Sequence, residues 1–107
     1  MEIQRASNLG PLHQKLGISP GARVCYQLTP DGVTLWDIDT GTAYAIQART
    51  GTVTTEKFLV PKQVKEIIEA TDTELLRRWS ENRKQAWGDL RQTIFTELNF
   101  RGISIVR

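Results

Sequence analysis

The chain has 107 residues, 39% apolar and 24% charged, with 14 Lys plus Arg against 12 Asp plus Glu and a formal net charge of +2. That is the length of one domain, and the balance excludes both a strongly basic tail protein and an acidic disordered one. A single cysteine, Cys25, and a single histidine, His13, exclude an internal disulfide framework and a cysteine-based zinc site.

Residues 1–21 are mixed and turn-rich, with Gly10-Pro11, Gly17 and Pro20-Gly21. Gly17 after Leu16 reads as a helix C-cap, because glycine enters the left-handed region without a side-chain clash. Pro20-Gly21 suits a type II turn. From Ala22 to Thr29 the residues alternate, which predicts a strand with Val24, Tyr26 and Leu28 on one face and Arg23, Cys25 and Gln27 on the other. Pro30-Asp31-Gly32 predicts a hairpin turn into a second strand over 33–38. Asp39-Thr40-Gly41 is a second turn, Thr42 to Gln47 a third strand, Arg49-Thr50-Gly51 a third turn and Val53 to Val60 a fourth strand.

The pattern changes after Pro61, a residue tolerated in a first helical turn. Val64, Ile67 and Ile68 recur at helical spacing, and Thr71 with Glu74 has the spacing of a capping box. From Leu75 onward the apolar residues form one stripe that includes Leu76, Trp79, Trp87, Leu90, Ile94 and Leu98. Unbroken from Asp72 to Leu98, such a helix spans about 40 Å, with Gly88 as a kink. Its stripe needs a sheet to fold over or a second chain to meet, and it points to a homodimer. Arg77, Arg78, Arg83, Lys84 and Arg91 spread around the helix as a solvated face. The apolar tail Ile103-Ser104-Ile105-Val106 reads as a last strand. The expected fold is therefore α+β, with a small antiparallel sheet over about residues 22–60, C-terminal helices and a final strand at 103–106. It is expected as a single domain, 1–107, with a β-rich part to residue 60 and a mainly helical part from 61.

The run Leu16-Gly17-Ile18-Ser19-Pro20-Gly21-Ala22-Arg23-Val24, followed by Asp31-Gly32-Val33-Thr34-Leu35, resembles the corner and hairpin of the AbrB/SpoVT/MazE swapped-hairpin family. The similarity covers residues 5–38, about a third of the chain. It implies a DNA-binding transcriptional regulator or antitoxin that acts as a dimer. It also implies duplex DNA held by Arg5, Lys15 and Arg23, through phosphate contacts and counterion release, and a toxin or complex subunit held by the C-terminal helix.

The residues themselves leave a second reading open. The short strands would form a small SH3-like barrel, and the helix would dock a protein partner through Leu76, Trp79, Trp87, Leu90 and Ile94. No Gly-rich phosphate loop, nucleophile elbow or metal-ligand spacing occurs, so no enzyme, cofactor or metal is expected. Asp37 and Asp39 run into the turn at Gly41, where aspartate is selected for local hydrogen bonds. No apolar run approaches the roughly 18–20 residues of a membrane helix, and no charged-then-apolar leader opens the chain. A cytoplasmic protein without membrane contact is the expectation.

Overall fold

A computed structural model describes residues 1–82, 84 and 86–106. The fold is α+β, a five-stranded antiparallel sheet followed by C-terminal helices. The chain forms two compact units, one of residues 4–60 and one of residues 1–3 with 61–107.

The first unit opens with β1 (Gln4–Arg5), a 3-10 turn (Ala6–Leu9) and α1 (Pro11–Lys15), and continues with β2 (Arg23–Thr29), β3 (Gly32–Asp37), β4 (Thr42–Gln47) and β5 (Val53–Lys57). The strands lie side by side in sequence order, so the expected antiparallel sheet is an open meander, and the SH3-like barrel of the second reading does not close. The expected C-cap is present in full. Gly17 takes φ +73°, its N–H donates to the Gln14 carbonyl at 3.1 Å, and the Ile18 N–H donates to the His13 carbonyl at 2.8 Å. These are the two bonds of a Schellman ending. The Ser19–Ala22 turn closes with Ala22 N–H on the Ser19 carbonyl at 3.0 Å, but Gly21 keeps a negative φ. A type II turn is thereby ruled out; proline at the second position serves a type I turn equally well.

The registers pair Val24 with Asp37, Tyr26 with Leu35 and Leu28 with Val33, and then Leu35 with Tyr44 and Val33 with Ile46. Paired residues share a face, so the predicted alternation is correct. Burial follows only at one end. Val24 and Leu35 are buried with Ala6, Ile18 and Ala22, and Leu9, Leu16 and Tyr44 pack on them, whereas Tyr26 and Leu28 are exposed.

The second unit holds α2 (Lys62–Glu69), α3 (Asp72–Asn82) and α4 (Asp89–Phe100). The long helix from Asp72 to Leu98 does not form. Gly88 is the N-cap of α4 with extended backbone, and α3 packs against α4. The apolar stripe is thus covered by its own chain, with Ile67, Leu75, Trp79, Ile94 and Leu98 as the core. Thr71 acts as predicted, its Oγ accepting the Glu74 N–H at 3.2 Å. The tail is not a strand. Gly102 at φ +80° ends α4 in a second Schellman pair, with Ile103 N–H on the Leu98 carbonyl at 2.9 Å and Gly102 N–H on the Asn99 carbonyl at 2.9 Å. That turn sends Ile103 and Ile105 onto the helical core instead. The extended start of the chain belongs to this unit too. Ile3 is buried, its N–H donates to Thr96 Oγ at 2.9 Å, and the Met1 ammonium meets Asp89.

One buried ion pair ties these helices together. Glu97 is fully buried, and its carboxylate accepts Arg101 Nε at 2.7 Å. The same guanidinium donates to Asp72 at 2.8 Å and to the Ile67 and Ile68 carbonyls, both at 3.2 Å. It therefore helps cap the end of α2, where the Ile67 carbonyl also takes the Ala70 N–H at 3.3 Å. Desolvation pulls the Arg101 pKa down, but the hydrogen bonds and charges of Glu97 and Asp72 outweigh it, and the pKa sits above its ordinary value.

Two outcomes follow. Arg101→Met leaves the Glu97 carboxylate buried without its guanidinium and should cost about 3 kcal/mol or more in urea unfolding, while Glu97→Met with Arg101→Met should recover much of it. Gly32→Ala should cost roughly 3 kcal/mol by the same measurement, because a Cβ there would lie 1.9 Å from the Ile46 carbonyl oxygen.

Candidate interaction surface

The residues expected to touch DNA do not form one basic face. Arg5 and Arg23 are register partners, so they share the face opposite Val24. Arg23 is half-buried, and both its N–H and its guanidinium bond the Asp39 carboxylate, at 3.0 and 3.3 Å. Lys15 is exposed in the last turn of α1, whose flanking Leu9, Leu16 and Ile18 pack on the Val24 side of the sheet. The three cations are thus split between two faces, and one already has an anionic partner.

The residues expected to dock a protein partner are mostly core. Trp79 is 5% exposed, Ile94 is buried and Leu90 packs against their cluster. Trp79 and Trp87 do not sit on one helix face, because Trp87 precedes α4. They still converge. Their rings lie 5.6 and 5.7 Å from that of Phe95, and the Arg91 guanidinium lies 5.2 and 5.3 Å from their centroids. These contacts hold the segment before α4 against α3 and leave Leu76 and Trp87 partly exposed, at 37% and 38%. In the expected solvated face, Arg77 pairs with Glu81 and Arg78 with Glu74, both at i, i+4 spacing, while Arg83 lies outside the described residues.

The remaining chemistry-bearing residues serve the fold. Asp37 is buried and its Oδ1 accepts the Asp39 and Thr40 N–H groups at 3.1 and 3.2 Å, which builds the turn to Gly41. Asp37, Asp39, Ser19 and Tyr44 line an open cleft of about 530 Å³, where the two carboxylates already hold backbone and Arg23. His13 is buried and its Nδ1 donates to the Gly10 carbonyl, and Cys25 is buried with no disulfide. Among the described residues no group of His, Cys, Asp and Glu is arranged to hold a metal ion. Among the described residues no helix is long and apolar enough to cross a membrane.

What stands out is the half of the sheet that α1 does not reach. The registers put Leu28, Val33, Ile46 and Val53 in one row across β2 to β5, on the same face as Val24 and Leu35. Tyr26 lies in the next row on that face. Leu28 is 76% exposed, Tyr26 44% and Val53 37%, with Val33 and Ile46 half-buried. Alternation identified the face on β2. It could not say how far along the face the cover extends.

Trp79→Ala should cost about 3–5 kcal/mol in thermal or urea unfolding, the range for truncating a buried tryptophan. Trp87→Ala should cost less, about 1 kcal/mol, because Trp87 is already 38% exposed where Trp79 is 5%. A scan against family models matches nothing, and searches of curated proteins and of solved structures give no match either.

Proposed function

We propose that the chain is a non-enzymatic protein-interaction module that binds through the uncovered half of its sheet. The observation that carries this reading is the apolar row Leu28–Val33–Ile46–Val53 with Tyr26 beside it. A single exposed leucine needs no explanation, but a contiguous apolar patch on a folded domain marks a contact surface. Fully burying a side chain of this size is worth about 1.5–3 kcal/mol, so a partner that covers the row gains from several residues together. Aromatic anchors such as Tyr26 are common at the centre of such contacts.

The AbrB-like reading, a dimeric regulator on duplex DNA, has less to support it. Phosphate binding needs cations gathered on one face, and here Arg23 is paired with Asp39 while Arg5 and Lys15 lie on different sides of the sheet. Docking through the C-terminal helices has Leu76 and Trp87 in its favour, but the larger apolar residues there are spent on the core.

The test places a benzophenone amino acid at position 28 and, as a control on the opposite face, at position 56, in the chain expressed in cells. Light-dependent adducts at 28 but not at 56 are expected; none at 28 overturns the reading. In parallel, the purified chain should give no salt-sensitive retardation of duplex DNA at low ionic strength. Retardation lost on adding salt would return the DNA reading to first place.

A further inference from the structure

We infer that the occupant of this sheet face is a second copy of the chain, seated about a twofold axis. The inference rests on the interaction reading above and names its partner. Its ground is the charge around the patch. The open row Leu28–Val33–Ile46–Val53, and the exposed Tyr26 and Thr55 at the two ends of the next row, contain no charged residue. The rim at the turn end carries one charge of each sign, Asp31 in the β2–β3 turn and Arg49 in the β4–β5 loop, both exposed. The two loops are neighbours, with Ala48 N–H on the Asp31 carbonyl at 2.8 Å. Neither side chain enters an ion pair among the described residues.

A twofold contact pairs residue i of one copy with j of the other, and j with i. When two such faces meet, Asp31 of each copy can lie against Arg49 of the other, so both rim charges find opposite partners at once. A rim of one sign would repel its own copy and select an oppositely charged partner. This rim cancels, which offers nothing to a nucleic acid or to a strongly charged peptide. Two sheets can pack face to face with their strands within about 30° of each other and roughly 10 Å apart. Leucine, valine and isoleucine side chains interdigitate well at that spacing. The contact rests on one row of four apolar side chains with Tyr26 beside it and on rim charges that stay in water, where an ion pair adds little. The dimer is therefore weak and depends on concentration.

Sedimentation equilibrium on the full chain, from low micromolar to millimolar, tests this. A reversible monomer–dimer equilibrium is expected. Leu28→Glu should abolish it, and Leu28→Thr, which keeps a strand-forming residue, should weaken it about tenfold. Asp31→Arg alone should also weaken it about tenfold, and Asp31→Arg with Arg49→Asp should restore it, an outcome that a mere folding defect cannot produce. A chain monomeric at millimolar concentration overturns the inference, as does a dimer indifferent to Leu28→Glu and to the charge exchange. If the chain is monomeric yet gives adducts of another mass at position 28 in cells, self-association falls and the interaction reading stands. If it is monomeric and gives no adducts, both fall.

Discussion

A five-residue helix cannot cover a five-stranded sheet. Helix α1 runs from Pro11 to Lys15, about 7.5 Å at 1.5 Å per residue, while β2 alone runs from Arg23 to Thr29, about 23 Å. The Schellman ending at Gly17 stops the helix and turns the chain back toward β2 through the Ser19–Ala22 turn. Cover therefore exists only where Leu9, Leu16 and Ile18 reach, over Val24 and Leu35. Everything toward the Pro30-Asp31 turn on that face is left to water or to another molecule. The candidate surface follows from where one glycine ends one helix.

The helical unit solves the opposite problem. Its segments carry enough apolar residues to enclose one another, and their difficulty is polar. Helix α2 ends at Glu69, where its last carbonyls lack helical donors, and Glu97 lies on the inward side of α4. Arg101 answers both, through a planar guanidinium that bonds Glu97, Asp72 and two α2 carbonyls at once. A lysine offers a point charge and could not span the same acceptors. A buried pair is weak support for net stability, but with its partners in place it fixes how α2 and α4 meet. The aromatic contacts of Trp79, Phe95 and Trp87 then hold the chain between α3 and α4.

Local chemistry explains which features were readable in the sequence. The first three predicted strands, the hairpin at Pro30-Asp31, the C-cap at Gly17 and the Thr71 cap depend on neighbours within a few residues, and each appears where its residues place it, whereas the fourth strand ends at Lys57, short of Val60, and the two-residue β1 is too brief to show an alternation. The break between α3 and α4 was not readable, because an apolar stripe has the same period whether a second chain covers it or the helix folds back on itself. The tail misled for a similar reason. Ile103 and Ile105 alternate as a strand would, yet the turn at Gly102 delivers them to a helical core. Among the candidate residues, Trp79 and Ile94 look alike as core or as contact in one dimension, and only burial separates them. Arg23 resembles a phosphate ligand until Asp39, sixteen residues on, is seen to hold it.

The contrast between the two apolar surfaces bears most directly on function. The sequence places partner docking on the stripe of α3 and α4, which is longer and more aromatic. Length and aromatic content are also what let it close on itself, and closure consumed it. The strand residues Leu28, Val33, Ile46 and Val53 cannot close on one another in this way. A single sheet layer buries a face only against a second layer, and the covering layer here ends halfway. An open meander with a half-covered face either tolerates that surface in water or completes its second layer from outside. The row is uninterrupted across four strands, and its own half of the face has no charge to keep it hydrated. Completion from outside is the arrangement those residues favour.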